Sequence, residues 1–146
     1  MLYGDPSLQL SQMNLDLLPS ALASSGSDES FDLIKHWVSK CDHKHPECRM
    51  NSKRLPNRVI DVGTGESDIQ PRLRETEQET GAYIALSHCW GTNRHFVTEK
   101  ATLHVNLKGI HFEDLPKTFR DAIVLTRRLG VQYLWIDSLC IIQDDR

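Results

Sequence analysis

A single run near the C-terminal end, FEDLPKTFRDAIVLTRRLGVQYLWIDSLCIIQDD from Phe112 to Asp145, leaves this chain few ways to fold. Leu115, Phe119, Ala122, Ile123 and Leu129 recur at steps that put them on one side of a 3.6-residue helix. Asp114 stands where a side chain caps free backbone N–H groups, and Pro116 where a first-turn proline forfeits no hydrogen bond. Glu113 and Asp114 lie at the positive end of the helix dipole, Arg127 and Arg128 at the negative end. Gly130 supplies the left-handed residue that stops the helix. Val131 to Ile142 then reads as a strand, with Tyr133 and Trp135 on one side and Leu134 and Ile136 on the other. A strand apolar on both faces belongs in a covered sheet, usually a parallel one.

Asp137 breaks that strand, and Ser138, Cys140, Gln143, Asp144 and Asp145 follow it. In open α/β sheets ligands gather just beyond the carboxyl ends of strands, so chemistry is expected here. The plainer alternative is that Asp137 only caps the next turn.

A second core strand is expected over YIALSHCWG, Tyr83 to Gly91, where Ile84 and Leu86 alternate with Tyr83 and Ala85. It ends in Ser87, His88, Cys89 and Trp90, and Gly91 lets the backbone turn. Adjacent His88 and Cys89 invite a nucleophile–base reading, but neighbours on a strand point to opposite faces. Strand, helix and strand together have the grammar of a βαβ crossover. If the strands are parallel neighbours, about 5 Å apart, Ser87, His88, Trp90 and Gly91 share one crevice with Asp137, Ser138, Cys140, Gln143 and Asp144. That set suits a ligand with a flat ring and hydroxyls, such as a nucleoside, or a hydrogen-bonded lock between two loops.

The rest of the chain is less explicit. Arg58 to Val62 and Ile69 to Arg74 read as a hairpin around the turn GTGES, with Pro71 confining the second strand to an edge. The GTG is no phosphate cradle, since no helix, third glycine or Lys-Ser/Thr pair follows. Val105 to Phe112 alternates weakly, as a short strand or extended loop. Phe31, Ile34, Trp37 and Val38 predict a helix over Ser30 to Cys41, capped by Ser30 or Asp28. It runs into CDHKHPEC, where Cys41, His43, His45 and Cys48 offer four zinc-type ligands within eight residues. The spacing differs from the common two-knuckle modules. The alternative is a helix C-terminal turn with imidazoles at the negative dipole end and cysteines packed as small apolar groups.

Residues 1–29 read as a flexible leader, with SSGSDES (Ser24 to Ser30) a linker by composition and a short helix around Met13 to Leu22. Composition narrows the function. The net charge of −3 argues against nucleic acid as a partner. No apolar run approaches the ~20 residues of a membrane span, and the N-terminus lacks a secretory pattern. Four cysteines without such a signal imply a reducing, cytoplasmic setting. A central strand needs neighbours on both sides, and the residues after it are too few to supply them, so an incomplete domain is expected.

YIALSHCWG followed by LPKTFRDAIVLTRRLGVQYLWIDSLCIIQDD closely resembles the heterokaryon-incompatibility (HET) domain of filamentous fungi, in order and at a typical separation. IKHWVSKCDHKHPEC and LPNRVIDVG resemble the approach segment of such proteins, so the likeness spans roughly residues 30 to 146. It divides the chain into a leader (1–29), a helix plus Cys/His turn (30–50) and a truncated HET domain (55–146). The resemblance implies non-self recognition and programmed cell death, through self-association or protein partners. It also implies an α/β fold: an incomplete, mostly parallel sheet of the Toll/interleukin-1 receptor (TIR) type with flanking helices, preceded by a β-hairpin and a short N-terminal helix. Some TIR domains cleave NAD⁺ with a glutamate on a helix after a core strand. The matching helix would begin beyond Arg146, so no catalytic glutamate carries over. An NAD-like nucleotide and a zinc ion are the two cofactor expectations.

Overall fold

The computed structural model describes residues 24–46, 53–64, 70–91 and 96–145, which fall into two compact units divided at Arg49 and Met50. The first unit contributes helix α1, Asp28–Lys44. Ser27 caps it: the Ser27 hydroxyl accepts from the Ser30 amide at 3.2 Å, and Asp28 and Glu29 fill the first turn. The helix runs past Cys41, where the sequence ends it, to His43 and Lys44 at the negative end of the dipole. Phe31 and Leu33 are buried, but Trp37 and Val38 of the expected apolar stripe are exposed. The expected helix at Met13 to Leu22 lies outside the described residues.

The second unit is built on a four-stranded sheet. Its strands are β2 (Arg58–Asp61), β3 (Arg72–Glu75), β5 (Tyr83–Leu86) and β6 (Tyr133–Ile136), in the order β3-β2-β6-β5. A separate antiparallel pair joins β1 (Lys53–Arg54) to β4 (Thr80–Gly81). The hairpin of β2 and β3 is antiparallel, with β3 at an edge just after Pro71, as the proline requires. β6 runs antiparallel to β2 and parallel to β5, pairing Ile84 with Leu134 and Leu86 with Ile136. The sheet is therefore mixed, with one parallel pair, where a mostly parallel sheet was expected. The hairpin enters β6 from the other direction and makes the difference.

Between β5 and β6 lie α2 (Lys100–Lys108), a 3₁₀ turn (Phe112–Asp114) and α3 (Lys117–Arg128), and after β6 a one-turn helix α4 (Asp137–Cys140). α2 replaces the strand or loop expected over Val105 to Phe112. Glu99 and Thr102 form a reciprocal capping box at its start, and Leu103 and Leu107 pack on the core. α3 begins one residue after Pro116, which occupies the N-cap; Asp114 instead closes the 3₁₀ turn. Arg127 and Arg128 end α3 and Gly130 takes φ 73°, as read from the sequence.

One face of the sheet carries the core. Ile60, Leu73, Leu134 and Ile136 meet Phe119 and Ile123 of α3, with Val62, Ile110, Leu115, Leu139 and Cys140 around them. Each such side chain contributes roughly 1.5–3 kcal/mol on burial. On the other face Tyr133 and Trp135 are only half-buried. Arg74 lies over the Tyr133 ring, 5.6 Å from its centroid, and donates to its hydroxyl at 2.6 Å. No helix of the described residues is long and apolar enough to cross a membrane.

Candidate functional site at the carboxyl ends of two parallel strands

Because β5 and β6 are parallel and in register, their carboxyl ends lie side by side, and the chain leaving each meets the other. Asp137 is the meeting point. Its Oδ2 accepts from Trp90 Nε1 at 2.8 Å, and its Oδ1 accepts from the Ser138 amide at 2.7 Å. His88 Nδ1 stands 3.7 Å from the same Oδ1, beyond hydrogen-bonding distance, and is buried without a hydrogen-bond partner. The His88 ring lies edge-on to Phe119 with centroids 4.9 Å apart, and nearly parallel to Trp90 at 6.4 Å. Gly91 takes φ 66°, the left-handed conformation that turns the chain away after Trp90.

Ser138 serves the backbone more than any crevice. Its carbonyl accepts from the Thr98 amide at 2.9 Å, while its hydroxyl is buried with no hydrogen-bond partner. Cys140 is buried too, and burial pushes its thiol up to about 12, so it is no nucleophile near neutral pH. Its carbonyl accepts from Arg58 Nε at 3.0 Å, which satisfies one free acceptor at the end of α4.

Gln143 and Asp144 belong to a second cluster that ties down the start of α2. Thr98, fully buried, bridges to Ile142 as a parallel pair, and the Gln143 amide donates to the Thr98 carbonyl at 2.8 Å. Asp144 Oδ1 accepts from the Lys100 amide at 2.9 Å, capping the first residue of α2 from 44 positions away. Lys100 Nζ meets Asp145 at 2.8 Å; the pairing holds the lysine above its usual range and the carboxyl below its own. Both side chains are exposed.

Of the residues expected in one crevice, the structure joins His88, Trp90 and Asp137 by side-chain contact. Ser87 and Cys89 are exposed, and Cys89 is not turned inward as His88 is, so no thiol–imidazole pair forms. Phe119, Thr98, Lys100 and Arg58 also shape this end of the sheet, and sequence reasoning did not place them there. Only Phe119 carried a signal, as a residue of the apolar stripe of α3. At the other candidate site, Cys41 and His43 stand two residues apart on α1, about 200° around the helix, and point away from each other. His43 Nδ1 lies 2.7 Å from the Ser39 carbonyl. Cys48 lies outside the described residues, and among those described no group of three metal-type side chains converges.

The fold and this end of the sheet define a small mixed α/β domain whose two parallel strand tips are latched through a carboxylate. Residues 83–146, from the start of β5 onward, match the family model of the heterokaryon incompatibility protein (HET). No curated protein and no solved structure matches the chain.

Proposed function

We propose that this chain acts as a HET-type signalling module in the cytoplasm of a fungal cell, in non-self recognition and programmed cell death. It works by associating with itself or with protein partners. The HET match over residues 83–146 carries this reading. The chemistry of the strand tips supports it. Both Asp137 oxygens are engaged by Trp90 and Ser138, Cys140 is held protonated by burial, and Asp144 caps a helix. Asp137 and Asp144 are thus held in structural hydrogen bonds, as parts of a lock are, and the Cys140 thiol is not activated as a nucleophile.

The test is inducible expression of the chain in a filamentous fungus, scored by hyphal growth and uptake of a viability dye. Growth arrest is expected within the induction period. Normal growth with folded protein accumulating overturns the proposal. In parallel, purified protein is incubated with NAD⁺ and nicotinamide release is followed. Turnover there would replace this reading with the TIR-like hydrolase alternative.

A further inference from the structure

The two edges of the main sheet are treated differently. β3 carries Arg72, Arg74 and Glu75, follows Pro71, and is covered by α2 and by the Ile110 amide, which donates to the Pro71 carbonyl at 2.7 Å. Charge, proline and a covering helix are the usual means of keeping an edge from pairing with another chain. β5, at the opposite edge, has none of them among the described residues. It pairs with β6 on one side and with no strand among the described residues on the other. From Thr80 to Gly91 the chain has no charged side chain apart from the titratable His88, in a protein whose residues are 25% charged. Ala85, at the middle of the strand, is exposed and small enough to let a second backbone approach.

We infer that the free edge of β5 pairs with the same edge of a second copy of this chain, antiparallel about a two-fold axis. The inference rests on the proposed function and deepens it by naming the surface and the partner. A two-fold passing beside Ala85 sets Ala85 opposite its own copy and Ile84 opposite Leu86, residues that share a face of the strand. Every pair is uncharged, so a copy brings no like-charge contact. A charged partner strand would find no countercharge on β5, and charge complementarity therefore favours self-pairing over an acidic or basic peptide. A four-residue pairing is smaller than the interfaces of stable dimers, so the association is weak and concentration-dependent.

Sedimentation velocity on the full chain between roughly 10 μM and 1 mM tests it, with hydrogen exchange read at both ends of that range. The expected result is a dimer fraction that rises with concentration, together with slower exchange at residues 83–86. Ala85→Lys and Ala85→Asp each place like charges across the axis and should weaken the dimer at least tenfold, with an unchanged circular dichroism spectrum. Val124→Lys, at an exposed position on α3, should leave it unaltered. A chain that stays monomeric at 1 mM overturns the inference, as does a dimer indifferent to both Ala85 variants. Either result leaves the growth-arrest assay to judge the signalling reading separately.

Discussion

Trp90 and Asp137, 47 residues apart, are joined by a 2.8 Å hydrogen bond from the indole N–H to the carboxylate. The bond closes the ends of the two parallel strands, because the same carboxylate also holds the first amide of the chain leaving β6. Asp137→Ala removes an acceptor from both donors and should cost about 1–2 kcal/mol, the lower part of the range for charged acceptors because the side chain is a third exposed. Asp137→Asn keeps one acceptor oxygen and should cost less. Urea unfolding followed by tryptophan emission measures both. Equal midpoints for wild type and Asp137→Ala would remove the latch from the fold's energetics.

Cys140 is a test of burial rather than of reactivity. Iodoacetamide at pH 8 should modify the exposed Cys41 and Cys89 in the native protein and leave Cys140 untouched until urea is added, as read by peptide mass mapping. The same burial sets a pH dependence. The thiol is raised from 9.0 to about 12 in the folded chain, so the folded state holds the proton longer than the unfolded one. Its contribution is complete below about pH 9 and is lost as the pH climbs towards 12. Cys140→Ala should flatten the alkaline limb of a stability–pH curve while lowering its plateau by the lost packing.

The parallel pairing of β5 and β6 was legible because both strands announce themselves by pattern, and a helix as complete as Lys117–Arg128 between them permits little else. α2 was not. Leu103 and Leu107 sit four apart and Glu99 and Thr102 form a capping box, but Thr102, His104, Val105 and Asn106 are indifferent helix formers and Val105 is exposed. Tertiary contacts decide that segment: Thr98 and Lys100 are anchored by Ser138, Gln143 and Asp144, partners some 40 residues away that no local window contains. The candidate site shows the same division. His88, Trp90 and Asp137 came together because topology alone puts strand tips side by side. Asp144 was grouped with them only by closeness in sequence, and its carboxylate serves the neighbouring clamp. Gln143 joins both, its backbone amide donating to the Thr98 carbonyl and its side chain to the carbonyls of Asp137 and Ile141.

Asp144 gives that clamp a measurable weight. It caps α2 from outside the helix, since its carboxylate accepts from the Lys100 amide. Asp144→Ala should cost about 0.5–1 kcal/mol, the usual worth of an N-cap acceptor. Hydrogen exchange should quicken first at residues 100–103, while α3 keeps its protection. The ion pair of Lys100 and Asp145 is exposed, so Asp145→Ala should shift the unfolding midpoint hardly at all, and less still in high salt. A larger effect of Asp145→Ala than of Asp144→Ala would invert this account.

Two glycines at helix ends separate backbone strain from contact. Gly130 follows α3 at φ 73°, where an added Cβ would meet nothing within 4 Å. Gly130→Ala is therefore penalised by conformation alone, about 1 kcal/mol for a left-handed non-glycine residue. Gly109 ends α2 at φ 165°, extended backbone that any residue adopts, and an added Cβ would lie 3.2 Å from Gln70 Oε1. The Gln70 side chain is exposed and can move aside. Gly109→Ala should then be neutral or stabilise by up to about 0.5 kcal/mol, because alanine narrows the unfolded ensemble. Thermal unfolding of the two variants side by side should show opposite or clearly unequal shifts. Equal losses would mean that the chain around Gln70 cannot yield, and that the end of α2 is packed more tightly than its exposure indicates.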